Sequence, residues 1–126
     1  MEKKVLDTKW VRLELKDGIL LGTYKSGPIS LEGAKEIVRD RLEFTEGKAY
    51  PALINDVGLI GMERDAREYL SNEGVKGLKA GALVTNSVFS TYFANFFIRV
   101  TIVKPKIPAR LFTNEDKALK WLQQYK

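Results

Sequence analysis

The pair Asp17-Gly18 sits between two runs of strand-forming residues, W-V-R-L-E-L-K and I-L-L-G-T-Y, and constrains the fold more than any other feature of the chain. Both residues tolerate the left-handed backbone that a tight two-residue turn demands, so the pattern predicts a β-hairpin. Such a turn pairs Lys16 with Ile19. Counting outward, Val11, Leu13 and Leu15 then share a face with Leu20, Gly22 and Tyr24, while Trp10, Arg12 and Glu14 point the other way with Ile19, Leu21 and Thr23. The first set is the better core face.

After the hairpin the pattern alternates. Ser30 is placed to cap a helix in which Leu31, Ala34, Ile37, Val38 and Leu42 recur at helical spacing until Gly47. Tyr50-Pro51 leads into a short apolar strand over residues 52–57, A-L-I-N-D-V. A second helix is predicted from about Glu63 to Val75, with Ala66, Tyr69 and Leu70 on one side, followed by a strand over 80–85. An aromatic helix over 87–100, a strand from Ala109 and a last helix complete the chain. In that last element Thr113 and Asp116 form a pair resembling a capping box ahead of Ala118, Leu119 and Leu122. The predicted order is ββαβαβαβα. A hairpin followed by alternating helices and strands implies an α/β fold with a mixed, mostly parallel sheet and helices packed on it, because parallel neighbours need helical crossovers. At 126 residues the chain reads as one domain, 1–126, with residues 1–9 as a flexible N-terminal extension.

Composition removes most familiar chemistry. The chain has no cysteine and no histidine, so thiol nucleophiles, imidazole bases, disulfides and the usual zinc ligands are all missing. The serines have no nucleophile elbow around them, and Gly58 and Gly61 form neither a phosphate loop nor a dinucleotide fingerprint. The expectation is a protein that is not an enzyme and carries no cofactor or metal. A net charge of +5 comes from lysines interleaved with acids, and only Lys104 to Arg110 forms a local basic cluster, which argues against a nucleic-acid partner. The N-terminus carries charge with no apolar run behind it, so no signal peptide is read there and the cytoplasm is the expected location.

Five of the thirteen aromatic residues fall in 87–100, S-V-F-S-T-Y-F-A-N-F-F-I-R-V. On a helix, Phe89, Tyr92, Phe93, Phe96 and Phe97 cover one arc of roughly 140°, a core-facing stripe. Ser90, Thr91, Asn95 and Arg99 interrupt it, so it falls short of the about 20 apolar residues of a membrane span, and no membrane insertion is expected. Ala94 and Ile98 lie at its back, where a partner or a second copy of the chain, forming a homodimer, would sit.

In open α/β sheets ligands bind beyond the carboxyl ends of the strands. Asn55 and Asp56 end one strand and Thr85, Asn86 and Ser87 the next, which makes them a candidate rim for a small molecule, with a cavity under the aromatic helix as a second place for a small-molecule or lipid ligand. Asp56, Thr85 and Lys104-Pro105 also occur in the order found in phosphoacceptor receiver domains. That reading fails because the acidic pair that holds magnesium is replaced by the hairpin, and because Lys104 precedes its strand.

The stretches V-T-N-S-V-F-S-T-Y-F-A-N-F-F-I-R-V and P-A-R-L-F-T-N-E-D-K-A-L-K-W-L resemble the C-terminal half of small bacterial STAS/SpoIIAA-like proteins. The resemblance implies a STAS-type fold and, by likeness to anti-sigma-factor antagonists, a regulatory domain that binds another protein through the loop and helix after a central strand. The corresponding stretch runs from Asp56 to Arg67, with Gly61, Met62, Glu63, Arg64 and Arg67 as the contact residues the resemblance implies. It contains no serine or threonine, so the phosphoserine switch of those relatives does not carry over. Glu63 would place a fixed negative charge at the helix N-terminus.

Overall fold

In the computed structural model, which describes residues 4–25, 28–55, 62–84 and 107–126, Asp17 and Gly18 both take positive φ, 53° and 76°. They close the expected hairpin, with Lys16 opposite Ile19. Its arms are β2 (Val11–Lys16) and β3 (Ile19–Tyr24). The residues read as a flexible extension contribute a further strand, β1 (Lys4–Asp7), antiparallel to β2. Two contacts tie β1 down: Lys4 Nζ donates to the Phe44 carbonyl at 2.8 Å and lies 5.1 Å from the centre of its ring. Asp7, at the other end of β1, pairs with Lys25 and Arg12. The hydrogen bond from Lys25, helped by the Lys25 and Arg12 charges, holds its carboxyl below the usual aspartate value, against an opposing effect of desolvation.

Helix α1 (Leu31–Phe44) begins where Ser30 Oγ accepts from Gly33 N at 3.1 Å, a cap worth about 1 kcal/mol. β4 (Tyr50–Asn55) starts two residues earlier than expected, taking in Pro51, which has no N–H to offer a neighbouring strand. The sheet accommodates it by a register shift against β5 (Leu78–Val84) between Tyr50 and Pro51. Helix α2 (Arg64–Asn72) is shorter than its apolar spacing suggested; its last turn tightens to a 3₁₀ turn over Glu73–Val75 before Gly77 takes φ 76°. β6 (Ala109–Phe112) and α3 (Glu115–Leu122) follow. The cap of α3 is Asn114, whose Oδ1 accepts from Lys117 N at 3.0 Å, and not Thr113. The aromatic helix expected over 87–100, with Ala94 and Ile98, lies outside the described residues.

The strands order as β1-β2-β3-β4-β5-β6, antiparallel through β3 and parallel from β3 onward. The mixed sheet with helices packed on it is therefore as the pattern implied. Both of its faces are covered. Val11, Leu13, Leu20 and Ala52 pack with α1 and α2, while Ile19, Leu53, Ala80 and Ala82 pack with Ala118 and Leu122 of α3. Since neighbouring strand residues point to opposite faces, Leu20 and Ile19 serve the two cores in turn. Trp10 corrects the sequence reading: it precedes β2 and escapes its alternation, turning onto the α1 side, where its ring lies 3.0 Å from where a Cβ at Gly33 would stand and its Nε1 donates to Glu36 at 3.2 Å.

Candidate functional site

The connection from β4 to α2 is built on a backbone stitch. Ile29, just before α1, bridges Met62 in parallel, and Glu63 N donates to the Ile29 carbonyl at 2.9 Å. Both side chains are buried, Ile29 completely and Met62 to 8% exposure, in the same core as Leu20 and Leu70. Met62 therefore anchors the start of α2 and offers little surface to a partner, a correction to its place among the expected contact residues. Arg67 supports the same turn, its Nη1 donating to the Met62 carbonyl at 3.0 Å.

What the stitch presents is a charged helical face. Ala66 and Leu70 point into the core, and Glu63, Arg64, Asp65 and Glu68 stand exposed. Arg64 and Glu68 form an ion pair at 3.4 Å, one helical turn apart. Glu63 occupies the cap position without a side-chain cap bond, while Asp65 Oδ1 accepts from Ala66 N at 3.0 Å. Two carboxylates at this end favour the helix dipole. Asp56 and Gly61, the other members of the expected contact set, lie outside the described residues, as do Thr85, Asn86 and Ser87 of the expected rim.

Asn55 does reach a rim. It ends β4 between Thr23 and Val84, and it lines an open cleft of about 250 Å³ with Arg12, Glu14, Thr23 and Glu115. Arg12 and Glu14, 3.4 Å apart, come from the hairpin face that reads as outward in the sequence, which is why strand-end reasoning passed over them. On the other face of the sheet, α1 and α2 enclose a smaller apolar cavity that includes Arg41. Arg41 was also missed. Its signal was spacing: it falls three and four residues after Val38 and Ile37, on the buried stripe of α1.

Among the described residues no group of three or more acidic, histidine or cysteine side chains is gathered for a metal, and no helix is long and apolar enough to cross a membrane. No curated protein matches the chain. Among solved structures, it is similar to an uncharacterised protein of the DUF3478 family with a SpoIIAA-like fold from Shewanella loihica PV-4, at 15% identity and a TM-score of 0.64 over 97% of this chain and 96% of that one. That likeness gives the chain the SpoIIAA-like fold that its C-terminal half resembles. A family model for a domain of unknown function, DUF7793, matches residues 13–126, and the chain belongs to that family.

Proposed function

We propose that the chain is a non-enzymatic regulatory domain that docks onto another protein through the outer face of α2 and the connection entering it. The observation that carries this is the pairing of a fixed base with a free face. The Ile29–Met62 bridge and the Arg67 hydrogen bond hold the first turn of α2 in place, and Glu63, Arg64, Asp65 and Glu68 project from it in mixed charge. A preorganised charge pattern of this kind selects partners and steers encounter more than it adds raw affinity. The SpoIIAA-like fold adds the precedent of domains that act by contact.

The test is the double swap Arg64→Glu with Glu68→Arg. It keeps an ion pair at the same spacing, in the orientation that suits a helix better, so stability should change by only about 0.5 kcal/mol. The charge pattern seen by a partner is reversed at two positions. Quantitative affinity capture from bacterial lysate should then show at least one protein that the parent retains and the swapped chain loses by about tenfold. Identical captured sets from two equally folded chains would overturn the reading.

A further inference from the structure

The apolar cavity between α1, α2 and the sheet contains a charge that its surroundings do not match. It measures about 70 Å³ and is lined by the sheet and by both helices, Ile37, Val38, Leu70, Leu83 and Ile107 among its residues, with Arg41 as the one charged group among the described residues. Arg41 is 6% exposed. A guanidinium carries five N–H donors, and the hydrogen bond it makes among the described residues runs from Nη2 to the Lys76 carbonyl at 2.6 Å. Two acids of α1 are engaged elsewhere: Glu36 accepts from Trp10 and Asp40 from Arg39. Burial lowers the Arg41 pKa, against a smaller upward pull from Tyr24, and an arginine so far from neutrality keeps its charge. A buried cation without a counter-charge is costly, and a core position on α1 would be better served by leucine unless something pairs with it.

We propose that this cavity binds a small amphipathic carboxylate, its two oxygens taken by the Arg41 guanidinium and its apolar body lying among Ile37, Leu70, Leu83 and Ile107. The planar fork of arginine matches a carboxylate with two parallel hydrogen bonds, and the rest of the described lining is apolar apart from Tyr24. Size sets the chain length. An apolar cavity of about 150 Å³ holds one benzene, so this one admits an apolar body of roughly two or three carbon atoms, far short of a fatty acid. This site is independent of the α2 face, which lies on the outer side of its helix.

The experiment is a titration of the full chain with propionate and, separately, with propanol, a neutral molecule of the same length. The Arg41 Nε–Hε resonance and the methyl resonances of Ile37 and Leu70 are followed by NMR. Propionate should shift all three saturably, and propanol should bind about tenfold more weakly. Arg41→Met should remove that preference while leaving propanol affinity unchanged, and Arg41→Lys should restore it in part. Should Arg41→Met fail to fold, the comparison of the two probes on the parent chain decides alone. No saturable shift with propionate, or equal affinity for the acid and the alcohol, overturns the proposal and leaves Arg41 as a staple to the Lys76 carbonyl.

Discussion

Met62→Asp should lower the stability of this domain by about 4 kcal/mol or more, enough to unfold much of the population, whereas Met62→Leu should stay within about 1.5 kcal/mol of the parent. The difference follows from place and not from chemistry at a partner. Met62 is buried against Ile29, Ala66 and Leu70, with its backbone bridged to Ile29. An aspartate there loses the thioether packing and must either stay ionised in hydrocarbon or take up a proton at the cost of a raised pKa. Urea unfolding followed by circular dichroism separates the two variants. A midpoint for Met62→Asp close to that of Met62→Leu would place the side chain outside the core. Partner loss caused by Met62→Asp would accordingly report unfolding, and docking is better probed on the exposed residues one turn away.

Leu122→Ala should cost about 2–5 kcal/mol, while Lys120→Ala, on the same helix, should stay within about 0.5 kcal/mol. Leu122 is completely buried, at the point where α3 meets Ile19, Leu53, Ala82 and Val84. Removing it opens a cavity that the neighbouring alanines, Ala80, Ala82 and Ala118, are too small to fill. The outer flank of α3 is held by an aromatic run, with Trp121 5.6 Å from Phe112 and 5.0 Å from Tyr125 between ring centres. If α3 were an appended tail on a sheet with one core, Leu122→Ala would cost less than 1 kcal/mol, because the helix would leave without disturbing the rest. Thermal unfolding of the two variants measures this.

Much of the fold was legible because its local signals agree with one another. Asp17-Gly18 set the turn and the register, and Ser30 and Gly47 bracketed α1, each through a backbone requirement that does not depend on distant contacts. The misses share a different cause. β1 is four residues with Val5 exposed and charged ends, and it exists because β2 offers an edge and Phe44 offers a carbonyl, neither visible in its own sequence. Trp10 went to the unexpected side because alternation holds only within a strand, and it lies one residue before β2. The second core was understated because a covered outer face looks like an exposed one when apolar and polar residues mix along β3.

The candidate site was legible in outline only. The resemblance to SpoIIAA-like proteins pointed to Asp56–Arg67, a stretch in which Glu63 and Arg64 are exposed and Met62 is buried. Met62 entered the contact set by its place in the resembling stretch, and its burial follows from a backbone pairing with Ile29, a long-range fact. Arg41 was overlooked for the reverse reason. Charged residues are rarely buried without a partner, so its apolar spacing on α1 was outweighed by its charge.

Site-specific photo-crosslinking in bacterial cells tests the docking claim most directly, with the crosslinking residue placed at Arg64 on the exposed face of α2 and, as the control, at Lys120 on α3. A docking surface on α2 predicts a discrete adduct with another protein from position 64 and none of that mass from position 120. The same adducts from both positions, or none from position 64 in a chain that remains folded, would contradict it.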